Sequence, residues 1–305
     1  MFSVTDALSA CAFKVSLNYR GNTLGSGTAF LVSHHDRTYI VTARHNLTAR
    51  NAYTGAPIST PLPARFPDEL EFRLPYEIPQ DTGVVAFDAQ PCALKLWSAA
   101  EPLWYVFDPD DLKWDVAVLD LSELCATQCL RSTTDTLPED QSRFLADTAS
   151  LIRGGFVEVS SGKKIRLAAV SHYVNVGFGP RVGDDVFVLG YPRGIDGGQG
   201  LPIWKRGTIA SEPLIPVEGM PLLLVDTATR QGMSGAPVVA RQHRGTARLP
   251  RGHLSLLSGE VTRFVGLYSS RDKGADEFEA QLGRVWTADH VVAIIEARKR
   301  DKARL

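Results

Sequence analysis

Three short segments carry residue types that, brought together, activate a hydroxyl for attack on a carbonyl. The first, Tyr39-Ile40-Val41-Thr42-Ala43-Arg44-His45, is a strand-like run that exits on a histidine. The second, Trp114-Asp115-Val116-Ala117-Val118-Leu119, is a strand opened by an acid. The third, Gln231-Gly232-Met233-Ser234-Gly235-Ala236-Pro237, is a Gly-flanked turn between apolar runs. A serine hydroxyl is a poor nucleophile at neutral pH and needs an adjacent base, and histidine is the side chain that titrates near pH 7. The imidazole in turn needs a carboxylate on its other nitrogen to fix tautomer and orientation. Ser234 is therefore the candidate nucleophile, His45 the base and Asp115 its orienting acid.

A tetrahedral intermediate also needs fixed N–H donors for its oxyanion. The candidate oxyanion hole is Gly232, Met233 and Ser234, with the amides of Gly232 and Ser234 as the two donors. A glycine two residues before the serine lets the backbone turn sharply enough to present its amide. Each segment alone has a plainer explanation: a core histidine, a generic strand start, a common turn. Their order along the chain, His then Asp then Ser, separates this arrangement from the two other triad orders known on unrelated folds.

The elements that must position these residues read as strands. Runs rich in Val, Ile, Phe and Tyr, bounded by Gly, Pro, Asn or Asp, occur at Phe13 to Leu17, Thr28 to Val32, Thr38 to Thr42, Leu70 to Leu74 and Val116 to Leu119. They recur at Val186 to Leu189, Leu222 to Val225, Ala236 to Val239 and Phe264 to Tyr268. The one long helical pattern begins near Thr287 and runs into the basic C-terminus. The chain is thus expected to be all-β with a terminal helix. Asn51 to Pro67, with four prolines, reads as an ordered loop. Thr133 to Ala149 reads as a helical link between halves, and Arg241 to Gly259 as a mobile loop.

As a set, the segments resemble the trypsin-like peptidase domain of the HtrA (DegP-type) proteases and their bacterial relatives. The matching pieces are Gly25-Ser26-Gly27-Thr28-Ala29-Phe30, Thr42-Ala43-Arg44-His45, Asp115-Val116-Ala117-Val118 and the run Gly183 to Pro192. They continue with Val225 to Gly235 and Val265-Gly266-Leu267-Tyr268, so the resemblance covers about residues 10 to 286. It implies a chymotrypsin-like fold of two packed six-stranded β-barrels with the triad in the cleft between them. The N-terminal barrel (residues 1–130) would carry His45 and Asp115. A linker or insertion (131–164), a C-terminal barrel (165–286) carrying Ser234 and a helix (287–305) would follow.

The resemblance also implies the substrate contacts. Ala228 and Thr229, six and five residues before Ser234, would line the base of the primary pocket. Leu267, Tyr268, Ser269 and Ser270 would form its wall and pair with substrate backbone. No acid stands at the base, so cleavage is expected after small or medium apolar residues. Too little chain follows Ser234 for the rest of a barrel plus a PDZ domain. The Asn or Asp usual before the nucleophile is Met233 here, which has no charge to hold a cleaved N-terminal ammonium. The uncleaved chain is therefore expected to react.

The remaining features set bounds. The 305 residues are 44% hydrophobic and 22% charged, with a formal net charge of -1. That gives no reason to expect a nucleic-acid or membrane partner. A protein or peptide substrate is expected, and no metal or cofactor. Cys11, Cys92, Cys125 and Cys129 are too few for a disulfide framework in a chain this long. With no basic n-region before an apolar run, they favour a reducing, cytoplasmic setting. Cys125 and Cys129 lack further ligands at metal spacing and read as free thiols. Asn46-Leu47-Thr48 matches a glycosylation sequon by coincidence, and Gly194 to Gly200 reads as a strand connection. Arg298-Lys299-Arg300 reads as a solvated helix end. The competing readings are a protease-fold binding or scaffold module without turnover, and an esterase of another fold. Oligomeric state is not legible.

Overall fold

The computed structural model describes residues 2–58, 66–78, 85–127, 129–134, 148–151, 157–158, 164–174, 179–242, 245–248, 254–257, 260–271 and 282–303. Alternating apolar and polar residues make antiparallel strands, each with one buried face. In β2 (Ala12–Tyr19), for example, Phe13, Val15 and Leu17 are buried while Lys14 is exposed. β1 (Phe2–Val4), β2, β3 (Asn22–His34) and β4 (Arg37–Thr42) are followed by α1 (Arg44–Thr48), which carries His45. Then come β5 (Glu69–Ile78), β6 (Val85–Lys95), the short pair β7 (Trp97–Ser98) and β8 (Glu101–Pro102), β9 (Ala117–Asp120), α2 (Leu121–Ala126) and β10 (Leu130–Ser132). With β11 (Val157–Glu158) and β12 (Lys164–Leu167), and without the β7–β8 pair, which stands apart, these strands form a ten-stranded sheet whose main path is β1-β6-β5-β2-β3-β4-β9.

The second half closes. β13 (Asp185–Gly190), β14 (Ile203–Ile209), β15 (Leu222–Asp226), β16 (Ala236–Gln242), β19 (Val261–Arg271) and β20 (Leu282–Thr287) form a six-stranded barrel in the order β13-β14-β15-β20-β19-β16. β17 (Gly245–Arg248) and β18 (Leu254–Leu257) form a separate hairpin. Within the stretch from Arg241 to Gly259, expected as a mobile loop, the described residues 245–248 and 254–257 are paired strands. The expected helical link lies mostly outside the described residues.

Among the described residues one barrel closes, where two were implied. Asp120 ends β9 and caps α2, its carboxylate accepting from the N–H groups of Ser122 and Glu123 at 3.0 and 3.4 Å. The chain leaves the sheet at once as a helix and re-enters as β10 on β6. β9 is not prolonged across the gap, and the long β5–β6 ribbon collects β1, β10 and β12 on its flanks instead. The first half thus remains an open sheet.

The cores follow these layers. Phe13, Val15, Leu31, Ile40, Leu70 and Leu94 fill the first half, and Val186, Val188, Val225, Val238 and Val285 fill the barrel. Between them Phe30, Val41, Val118, Leu189, Val239 and Trp286 pack with the C-terminal helix α3 (Ala288–Ala297) through Val291, Ile294 and Ile295. Thr287 caps that helix, as its pattern implies, accepting from His290 N–H. No helix among the described residues is long and apolar enough to cross a membrane.

The basic C-terminus is not a solvated helix end. Arg298 donates to Asp120 at 2.6 Å and to the Tyr105 hydroxyl at 3.0 Å, and Arg300 pairs with Glu123 of α2. Val106 N–H donates to Lys299 C=O at 2.9 Å, and Asp301 N–H to Trp104 C=O at 3.2 Å. The tail therefore runs beside the segment that leads to Asp115.

Candidate active site

His45 stands one residue inside α1, where the chain turns out of β4. Asp115 lies just before β9, which pairs with β4 and so brings the acid alongside. The His45 backbone N–H donates to Asp115 Oδ1 at 2.9 Å, and Nδ1 lies 2.7 Å from Oδ2. Asp115 is 3% exposed. Its hydrogen bonds fix Nδ1 as the protonated nitrogen and leave Nε2 with its lone pair. Burial of the imidazole disfavours its charge. The Asp115 carboxylate and its hydrogen bond outweigh that cost, and the His45 pKa stands above the usual histidine value.

A third donor completes the acid. Ser269 Oγ donates to Asp115 Oδ2 at 2.5 Å, from across the interface between the halves. Its backbone explains the aim. The β19–β20 register shifts between Tyr268 and Ser270, a bulge that re-aims the residue between them. Ser269, one of the expected substrate contacts, is buried with its hydroxyl on Asp115.

Ser234 sits on the turn between β15 and β16. Its carbonyl accepts from Thr28 N–H at 2.9 Å and from Asn46 Nδ2 at 3.0 Å. Thr28 Oγ1 donates to Gly232 C=O at 2.7 Å, and Thr42 Oγ1 to Thr28 C=O at 2.7 Å. These buried side chains stitch the serine turn to the first half, one residue from His45. Asn46 looks like a sequon in the sequence, yet its amide is buried and committed to Thr42 and Ser234. Gly235 makes the approach possible. Its φ is +89°, and a Cβ there would fall 2.0 Å from Thr28 O. Ser234 Oγ makes no hydrogen bond to His45 among the described residues. In such sites this bond commonly tightens only with substrate in place.

The turn's amides divide cleanly. Met233 N–H is used within the turn on Arg230 C=O at 3.2 Å, and its side chain is fully buried in the barrel core. Met233 is thus not a free donor, although it falls within the expected oxyanion hole. Gly232 and Ser234 N–H have no acceptor among the described residues. Gln231 C=O accepts from Arg193 N–H at 2.6 Å, and the peptide bonds are trans, so Gly232 N–H points the opposite way.

Of the remaining expected contacts, Ala228 is exposed, and Thr229 is buried with its hydroxyl bonded to the Tyr268 hydroxyl. Leu267 is a buried interface residue. Ser270 is only partly buried, on β19. The four cysteines are buried and none is in a disulfide. Burial first, then Asp120, pushes Cys125 up to about 12, away from thiolate chemistry. A cavity of about 450 Å³ beside Phe13, Phe72 and Tyr191 is lined by none of His45, Asp115 and Ser234.

A serine endoprotease from Yersinia pestis is 13% identical, with 97% of this chain and 67% of that one covered and a TM-score of 0.45. The Rv3671c protease from M. tuberculosis in its active form is 18% identical, with 95% and 81% covered and a TM-score of 0.39. The inactive form of the same protease gives 17%, 95%, 90% and 0.39. No curated protein matches. Residues 27–246, most of the chain, match the model of the trypsin-like peptidase domain, and the chain belongs to that family.

Proposed function

We propose that the chain is a serine endopeptidase that works through an acyl-enzyme on Ser234. His45 Nε2 takes the Ser234 proton as Oγ attacks the peptide carbonyl. The carbonyl oxygen, now an oxyanion, is received by Gly232 and Ser234 N–H. His45 then gives the proton to the leaving amine, and water, activated by the same imidazole, hydrolyses the ester. Asp115 holds the tautomer throughout. The observation that carries this reading is the Asp115 carboxylate held by His45 and Ser269, set against a serine turn with two unengaged amides.

The same reading sets the specificity. Ala228 contributes no charge, Thr229 turns its hydroxyl to Tyr268, and the Tyr268 ring packs against Gly283, where a Cβ would fall 2.4 Å from Cε2. Neither position brings a charge to the expected pocket base, so the accepted side chains are small or medium and apolar. Digestion of a peptide library, read by mass spectrometry, is expected to show cleavage after Ala and Val, with none by Ser234→Ala. Cleavage dominated by Arg or Lys would contradict the pocket and implicate Asp226. Peptide binding without cleavage would instead favour a scaffold module.

A further inference from the structure

Two adjacent histidines and a glutamate, far from the serine turn in the fold, meet on the surface of the first half. His34 ends β3, and His35 and Asp36 form the two-residue turn into β4. Both turn residues have positive φ, +45° and +57°, as this hairpin type requires. Asn-Gly would satisfy that backbone more easily. The turn brings the two imidazoles together rather than to opposite faces, with ring centroids 4.0 Å apart. Glu296, in the last turn of α3, reaches over from 262 residues away in sequence, its Oε1 3.3 Å from His34 Nε2. One ligand atom from each residue lies within 4.8 Å of the others.

The geometry points to a binding site for a transition-metal dication of the Zn²⁺ class, held by His34, His35 and Glu296. Two imidazoles and one carboxylate are a borderline-soft donor set, suited to Zn²⁺, Ni²⁺ or Cu²⁺ rather than to Mg²⁺ or Ca²⁺, which take oxygen. Around Zn²⁺, with donor bonds of about 2.0–2.2 Å, the three atoms need to close by little more than an ångström. His35 and Glu296 are exposed and free to rotate that far. Water completes the shell. Arg37, the register partner of His34, is turned to Asp120 at 2.5 Å and so leaves the site's own charge unopposed. The ion would clip the β3–β4 hairpin to α3. That helix continues into the tail that runs beside residues 104–106, so the clip fastens the tail as well.

The test is calorimetric titration of ZnCl₂ into the chelator-stripped full chain, with thermal unfolding alongside. The expected result is one ion per chain, a Tm that rises with Zn²⁺ and no heat with MgCl₂. His35→Ala and Glu296→Gln should each weaken binding at least tenfold while leaving peptidase turnover unchanged. Binding undiminished in both variants would place the ion elsewhere, on a thiol for instance, and overturn the site. Absence of binding in the folded wild type would overturn it too. Neither outcome bears on the serine chemistry, because none of the three residues touches it.

Discussion

Ser234→Ala and His45→Ala are each expected to lower kcat/KM by roughly a million-fold, with little change in stability. The two act as one unit in triad enzymes, and removing either costs about as much as removing both. Asp115→Asn is expected to cost about ten-thousand-fold, and its hydrogen bonds say why. Three donors converge on Asp115: the His45 backbone N–H, His45 Nδ1 and Ser269 Oγ. An amide offers only one oxygen. Either its NH₂ faces the His45 backbone N–H, donor against donor, or it faces Nδ1 and forces the proton onto Nε2, where a base is needed. The pH profile should follow. Activity requires neutral His45, whose pKa stands above the usual value of about 6.5, so the wild-type acid limb lies above that value. In Asp115→Asn both raising influences go and burial remains, so the limb of the residual activity shifts to lower pH. A limb that stays in place would contradict the assigned pairing.

The second large effect is structural. Arg44, immediately before His45, is only 2% exposed at its side chain and meets Asp301 at 2.8 and 2.6 Å. Its remaining N–H groups go to the carbonyls of Asp108, Pro109 and Asp111, in the loop before Asp115. Its backbone N–H donates to Asp115 C=O at 3.3 Å, and Trp104 Nε1 donates to Asp301 at 2.6 Å. One guanidinium thus gathers the C-terminal tail, the Asp115 loop and the His45 helix. Losing one partner strands the other charge without solvent, which costs about 3–5 kcal/mol. Asp301→Ala is expected to lower stability by that amount in urea titration and to depress kcat. An apolar double replacement, Arg44→Met with Asp301→Leu, should recover much of the stability and less of the turnover. Asp301→Ala within about 1 kcal/mol of wild type, the scale of an exposed pair, would show that the pair is not buried in solution.

What the sequence reveals is what local pattern and motif carry. The strand at Phe13 to Leu17, those flanking the serine turn and the helix after Thr287 are all legible, because burial alternates or caps locally. The pairing of His45 with Asp115 is inferable because the chemistry demands it. What escapes depends on partners remote in sequence. Asp120 reads as the end of a strand, yet it also caps the helix that follows. The Ser269 hydroxyl on Asp115 has no sequence signal, because a bulge leaves no sequence mark. Arg44 and Asp301 lie 257 positions apart, and no spacing rule connects them. The terminal arginines look solvated only until α2 is placed beneath them.

As proposed, Ser234 is an activated nucleophile in the uncleaved chain. Met233, buried in the barrel core, offers no charge for a freed N-terminal ammonium. The Phe2–Val4 strand is hydrogen-bonded into the sheet against β6. The direct measurement is to treat the purified full-length chain with a fluorophosphonate and read intact mass. One adduct is expected on the uncleaved chain, located at Ser234 by peptide mapping and absent from Ser234→Ala and His45→Ala. Labelling that persists in Ser234→Ala, or that appears only after N-terminal trimming, would contradict it.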